Sequence, residues 1–228
     1  MKILGIDTST KFLCLGICDG RRIYGYNLEV ERRLSVLLTV TIQRTLDAAG
    51  LNPEGVDYFA CGLGPGSFTG LRIGASAIKG LGWALQKPVI GISSLDIIAK
   101  NAGTSDRPLV TVVDARRNLL YCGFFRNKDG RLKKTKPYML LNQKEFLKKV
   151  SAGSILLGDA VSLYREEWIR NIRGVTLLDK DAWYPKPHHL MALVLERIKE
   201  GKVGCAFDIK PIYLYPKECQ IKSVNSKQ

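Results

Sequence analysis

The stretch whose residue types and spacing come nearest to a binding loop is Gly64-Pro65-Gly66-Ser67-Phe68-Thr69-Gly70-Leu71-Arg72-Ile73-Gly74. Gly64 to Gly66 allow a turn that most side chains could not make, and Ser67 or Thr69 can cap the unpaired amides of a helix starting here. A helix start presented in this way can seat an anion. A Walker loop needs Gly-x-x-x-x-Gly-Lys-Ser/Thr, and neither the lysine nor the spacing is present. A plain strand-turn-helix corner accounts for the same residues. The two histidines, His188 and His189, are adjacent at the start of a helical segment, which suits a surface or capping pair better than spaced metal ligands. No Ser-His-Asp order, zinc spacing or glycosidase-like pair of carboxylates emerges.

The elements that must position these residues follow from periodicity. The spacing predicts strands at 2–6, 11–18 and 22–30, a helix at about 33–50, a strand at 56–62, a helix at about 69–86, a strand at 88–92 and a helix at about 93–101. The first helix carries a core-facing stripe of Leu34, Leu37, Leu38, Thr41, Ile42, Thr45, Leu46 and Ala49. Val36 and Val40 widen that stripe and Arg33 and Arg44 flank it. The run Thr39-Val40-Thr41-Ile42 also permits a strand by propensity. The second helix is rich in small residues. Its interior glycines Gly74, Gly80 and Gly82 together cost about 3 kcal/mol of helix propensity, which close packing must offset, either within this chain or against a partner.

A turn-rich segment at 101–108 interrupts the pattern and marks a domain boundary. Beyond it Leu109-Val110-Thr111-Val112-Val113-Asp114 repeats Ile3-Leu4-Gly5-Ile6-Asp7 as an apolar strand ending in aspartate. Gly16 and Gly123 each follow that aspartate by the same interval, and both hairpins turn at Asp-Gly, first Asp19-Gly20 and then Asp129-Gly130. Ile155-Leu156-Leu157-Gly158-Asp159-Ala160 echoes the corner at Gly62 and Gly64. A duplicated strand-strand-strand-helix-strand-helix unit is the simplest account. The predicted division is an N-terminal lobe at 1–103, a C-terminal lobe at 104–210, and a C-terminal segment with a basic tail at 211–228.

Thirty-five Lys and Arg against twenty-one Asp and Glu give a formal charge of +14, which favours nucleic acid or an acidic protein as partner. The excess is spread over Arg21-Arg22, Arg32-Arg33, Arg116-Arg117, 131–136 and 210–227, without an aromatic-interleaved recognition motif, so a generally basic surface stands beside an RNA groove. The six cysteines form no Cys-x-x-Cys pair and lie mostly in apolar runs, as reduced thiols in a cytosolic protein do. The N-terminal apolar run is too short for a signal peptide and no run approaches a membrane span. A soluble, cytoplasmic protein is expected.

Two such units side by side are the plan of the actin, sugar-kinase and Hsp70-like class (ASKHA), an α/β fold of two RNase-H-like lobes with mixed sheets flanked by helices. With that plan in place, Ile6-Asp7-Thr8-Ser9-Thr10, the stretch from Gly64 to Gly74 and Val113-Asp114-Ala115-Arg116 resemble the TsaB (YeaZ) family in order and spacing. That family takes part in making threonylcarbamoyladenosine in tRNA. The resemblance is close up to about residue 126 and looser beyond, ending in Pro211-Ile212-Tyr213-Leu214.

The resemblance implies a non-catalytic subunit that supports TsaD in threonylcarbamoyl transfer to the adenosine of tRNAs reading codons that begin with A. TsaE docks on the pair, ATP and metal belong to the partner subunits, no cofactor sits on this chain, and tRNA is met indirectly. The catalytic paralogue TsaD carries His-x-x-x-His where this chain has Ser94 and Ile98. The implied partner interface comprises Arg33, Val36, Leu37, Val40, Arg44, Gly70, Gly74, Ala77 and Ile78. A homodimer would use the same surface in the absence of TsaD. In the fold class Asp7, Thr8, Ser9, Thr10 and Asp114 are the candidates for holding phosphate and magnesium. Here they read as a vestigial phosphate turn or as a hydrogen-bonded structural turn, with arginines after Asp114 where the class has glycine. An independent nucleotide-dependent enzyme and a basic RNA-binding module are the alternatives.

Overall fold

The computed structural model describes residues 1–30 and 33–216. Arg32, Cys219 and the basic tail from 217 onward lie outside the described residues. The first lobe is built from β1 (Ile3–Asp7), β2 (Phe12–Cys18), β3 (Ile23–Glu29), α1 (Leu34–Ala48), β4 (Tyr58–Gly62), α2 (Phe68–Ala84), β5 (Val89–Ile92) and α3 (Ser94–Ala99). The second contains β6 (Leu109–Asp114), β7 (Leu119–Lys128), β8 (Arg131–Lys134), β9 (Met139–Asn142), α4 (Gln143–Lys149), β10 (Ile155–Leu157), α5 (Val161–Asn171), β11 (Thr176–Leu177) and α6 (Pro187–Lys199).

The first sheet runs β3-β2-β1-β4-β5 and the second, read from the other end, runs β8-β7-β6-β10-β11 with β9 added on β7. In each, the first two pairings are antiparallel hairpins and the last two are parallel crossovers. The order is the same, so the two sheets are copies of one plan, and the actin-like α/β class follows.

Strand alternation sorts the core. One face of the first sheet, with Leu4, Ile6, Leu13, Leu15 and Ile17, packs on Leu38, Ile42 and Leu46 of α1 and Ala75 and Ile78 of α2. The segment 39–42, whose β-branched residues permit a strand, is helical, because its stripe buries against this sheet. The second sheet packs Val112, Leu120, Cys122 and Phe124 on Phe146 of α4 and Trp168 of α5. Between the lobes, Leu95, Ile98 and Ala99 of α3 meet Leu109, Val113 and Phe125.

The first sheet ends with β5 at Ile92 and the second starts with β6 at Leu109, yet α6, which follows the second sheet in the chain, packs back on the first. Its Leu190, Met191 and Val194 cover Ile3, Cys14, Ala60 and Ile90 on the face opposite α1 and α2. The fit depends on glycine. Gly5, Gly16 and Gly25 stand opposite one another across three strands. A Cβ on Gly5 would lie 2.4 Å from Met191 Cε, and one on Gly25 would lie 2.5 Å from Pro187 Cβ. The glycine row is the groove that receives α6.

Candidate functional site

The residues singled out in the sequence gather at the outward side of α1 and α2 and at the cleft between the lobes. On α1, burial of Leu34, Leu38, Ile42 and Leu46 turns Val36 and Val40 outward, with 71% and 47% of their surfaces exposed. Leu37 is half-buried, and Arg33 and Arg44 are exposed at the flanks. On the neighbouring α2, Ala77 is half-buried and Gly80 is exposed.

Gly70, Gly74 and Ile78 do not join this surface; all three are buried in the chain's own core. A Cβ on Gly70 would lie 2.2 Å from the backbone oxygen of Thr8, and one on Gly74 would lie 2.2 Å from Thr8 Oγ1. The close approach that these glycines permit is made by β1's own turn, and the Thr8 hydroxyl donates to the Gly70 carbonyl at 2.8 Å. Gly82 is likewise filled by Val89. Gly80 differs, because a Cβ there meets nothing within 4 Å. It is the α2 glycine that internal packing leaves unexplained, and its exposure beside an otherwise intramolecular series of glycines is visible only once the fold is known.

The turn after β1 is closed upon itself. Asp7 is fully buried, and its carboxylate accepts hydrogen bonds from the Ser9 amide at 2.9 Å and the Ser9 hydroxyl at 2.6 Å. The hydroxyl of Ser94, at the start of α3, donates to the other carboxylate oxygen and accepts from the Gly64 amide at 3.0 Å. Burial pushes the Asp7 carboxyl above its ordinary range, opposed by the bonds from Ser9 and Ser94. Thr8 and Ser9 are buried as well, and Thr10 accepts from the Phe12 amide. Asp7, Thr8 and Ser9 therefore form the hydrogen-bonded structural turn, with their polar atoms spent inside the chain.

Ser67 caps α2 through the Gly70 amide at 3.2 Å. The corner at residues 64–74 is thus a strand-turn-helix joint held from below by β1.

A metal fits these residues poorly. Ser94 is engaged with Asp7, and Ile98 lies in the apolar layer between the lobes. Among the described residues no group of three or more His, Cys, Asp and Glu side chains could hold a metal ion. The rings of His188 and His189 lie tilted at 52° with centroids 4.0 Å apart at the start of α6, and burial lowers the pKa of the His189 imidazole to about 4.

The cleft between the lobes encloses about 750 Å³. Ser9, Thr10, Lys11 and Phe68 line it from the first lobe, and Asp114, Arg116, Arg117 and Asp159 from the second. Asp114 receives the Arg116 amide at 2.8 Å and its guanidinium at 3.2 Å, while Asp159 receives the Asp114 amide at 2.9 Å. Arg116, Arg117 and Asn118 all take positive φ, so the turn is made by three side-chain-bearing residues.

Sequence reasoning named Ile212 to Leu214 only as a terminal apolar segment, but the structure lays residues 212–215 across the cleft. The Ile212 amide donates to the Leu63 carbonyl at 2.8 Å, and the Tyr215 hydroxyl donates to the Ala115 carbonyl at 2.7 Å. The segment thereby ties one lobe to the other. Its alternation of Tyr213 and Tyr215 between two prolines is the signal from which an extended strap could have been read.

Among the described residues no helix is long and apolar enough to cross a membrane. Residues 28–159, more than half of the chain, match the family described as TsaD: tRNA N6-adenosine threonylcarbamoyltransferase. The chain is 29% identical to the Bacillus subtilis tRNA threonylcarbamoyladenosine biosynthesis protein TsaB, with the whole of both chains covered. It is 24% identical to the Escherichia coli protein of the same description over 94% of each. A solved Pseudomonas aeruginosa protein, described as similar to peptidase YeaZ, superposes with a TM-score of 0.81 at 25% identity, covering 94% of this chain and 99% of that one. Matched end to end by TsaB proteins and built on the same two-lobed plan, the chain belongs to the TsaB (YeaZ) family.

Proposed function

We propose that this chain acts in the biosynthesis of threonylcarbamoyladenosine in tRNA as a non-catalytic cytoplasmic subunit. It binds TsaD through the outward side of α1 and α2, and TsaE docks on the pair. ATP and the metal are held by the partner subunits, and tRNA is processed by the assembled complex.

The observation that carries this reading is the unburied apolar side of α1. Val36 and Val40 lie one helical turn apart, flanked by Arg33 and Arg44, and the neighbouring α2 has an open, exposed position at Gly80. Apolar side chains left outside the core at helical spacing suit a partner helix. The same surface can be self-complementary about a two-fold axis, giving a homodimer when TsaD is absent. The absence of chemistry is argued from Ser94 and Ile98, which are committed to Asp7 and to the interlobe layer.

Titration calorimetry with purified TsaD tests the surface. The parent chain binds, and Val36→Glu/Val40→Glu, with unchanged circular dichroism, does not. Parent-like binding by the folded variant would place the interface elsewhere. Light scattering during the titration should show one TsaD consuming one chain of a dissociating homodimer. Threonylcarbamoyl transfer or peptidase activity by the chain after rigorous removal of TsaD would overturn the non-catalytic assignment.

A further inference from the structure

Half of the basic excess falls on one piece of the second lobe, a net +7 of the formal +14. Between residues 126 and 149 there are nine Lys and Arg and two acids, Asp129 and Glu145. Glu145 is occupied by the capping box of α4. The pairing of β7 with β8 sets Arg126 opposite Lys133 and Lys128 opposite Arg131.

Residues directly opposite in an antiparallel pair share a face, as do residues two apart along a strand. All four cations therefore project from the same face of the hairpin, and all four are exposed. Strand geometry spaces them on a grid of roughly 5 by 7 Å. Phe124 shares that parity, and the Lys136 ammonium sits 4.8 Å from its ring centroid and 3.3 Å from the Lys149 carbonyl at the end of α4. The grid thus continues onto a helix C-terminus.

Internal acids do not neutralise it. Among the described residues no ion pair includes a cation from 126–149. Glu200, whose carboxylate feels Arg131, is paired with Lys202 at 2.8 Å. Guarding an edge strand takes a charge or two. Like charges set directly opposite each other in two successive positions oppose the pairing of the hairpin itself.

We propose that this face of the β7–β8 hairpin binds the phosphate backbone of a folded RNA directly. A flat cationic grid without an exposed apolar anchor is unlike the centre of a protein interface, where charges are depleted. It suits a polyanion whose counterions are released on contact. The contact carries position and not sequence, because it offers cations to phosphate and no aromatic or amide to a base edge. The choice of RNA as the polyanion rests on the tRNA-linked reading above; the surface itself lies on the second lobe, away from α1 and α2.

The test is fluorescence anisotropy of a labelled tRNA transcript with the full chain at several salt concentrations. Neutralising four to six phosphates gives a slope of log K against log salt of about −3 to −5. Arg131→Glu/Lys133→Glu should bind at least about tenfold more weakly and with a slope reduced by about 2. Arg21→Glu/Arg22→Glu, at the β2–β3 turn, makes the same change in net charge and should bind within about twofold of the parent, since surface contacts act locally at such salt. Equal weakening of the two variants, or no salt-dependent RNA binding by the parent, overturns the proposal, and binding of poly-glutamate in place of RNA overturns it in favour of an acidic protein. Should Arg131→Glu/Lys133→Glu fail to fold, Lys128→Gln/Lys133→Gln decides by the comparison with Arg21→Gln/Arg22→Gln, again with a slope reduced by about 2 because two phosphate contacts are lost. Titrating the RNA-deficient variant with TsaD reports the partner reading separately, because that binding should survive.

Discussion

Ser94→Ala removes one oxygen that serves two buried groups, and its cost can be worked out from the geometry. Asp7, fully buried, loses the hydroxyl that donates to one of its carboxylate oxygens, while Gly64 loses the acceptor of its amide at 3.0 Å. A hydrogen bond to a charged group contributes about 1.5–3 kcal/mol and a neutral one about 1 kcal/mol, so the variant should lose about 2.5–4 kcal/mol at neutral pH. At a urea slope of about 2 kcal/mol/M this moves the unfolding midpoint down by roughly 1.2–2 M.

The pH dependence identifies the cause. Burial raises the folded carboxyl of Asp7 above its ordinary value of 3.8. The folded state therefore holds its proton more tightly than the unfolded state does, so this group's contribution to stability is largest below 3.8 and declines as pH rises through the folded value. Ser94 opposes that rise, and removing it moves the folded value further up and extends the decline. The variant should therefore be closer to its parent at pH 4 than at pH 8. Half-buried Asp96 and Asp159 also have carboxyls pushed upward by partial burial, but they are common to both proteins and cancel in the difference. In an Asp7→Asn background the cost of Ser94→Ala should become independent of pH. A cost below about 1 kcal/mol, or the same cost at both pH values with Asp7 present, would refute the reasoning that Ser94 is committed to this carboxylate.

Val36→Glu/Val40→Glu should leave urea stability within about 0.5 kcal/mol of the parent, because both side chains are already exposed; a larger loss would place them in the core. Gly74→Ala should destabilise by about 1–3 kcal/mol, since its Cβ would lie 2.2 Å from Thr8 Oγ1. Gly80→Ala, with open space before it, should instead stabilise the isolated chain by about 1 kcal/mol, seen as a rise of roughly 2–4 °C in melting temperature. Opposite signs at these two glycines separate internal packing from an outward-facing position, and equal signs would not. Tyr215→Phe removes the 2.7 Å bond to the Ala115 carbonyl and should cost about 1 kcal/mol while increasing proteolysis near residues 212–216.

The lobes were legible because the duplication is written in types that backbone geometry demands: an aspartate ending each first strand, a glycine nine residues on and an Asp-Gly turn. The α1 stripe was legible for the same reason, since a 3.6-residue period states which side is buried. The destination of a buried side is not written in its period. Leu190, Met191 and Val194 declare that α6 has a core face, but only the register Gly5-Gly16-Gly25 shows that this face belongs to the first sheet. The glycines of α2 showed the same ambiguity. Composition announced a close approach there, and only coordinates assigned Gly70 and Gly74 to Thr8 and left Gly80 open. The Asp7 turn was readable as a cluster of hydroxyls and a carboxylate, whereas its closure by Ser94, from a distant part of the chain, was not.

The seat of α6 on the glycine row also sets an order of events during synthesis. Every strand of the first sheet has been made by residue 92, but the helix that covers Ile3, Cys14, Ala60 and Ile90 begins at Pro187. A chain growing from the ribosome must carry that apolar face open while the whole of the second sheet, residues 109–177, is translated. At about 5–20 residues per second this leaves the face bare for roughly 5–20 s. The second sheet has its own covering helices, α4 and α5, encoded within the same span as its strands, so the lobe written last can close first. The nascent first lobe is consequently the part of this protein with most to gain from a chaperone.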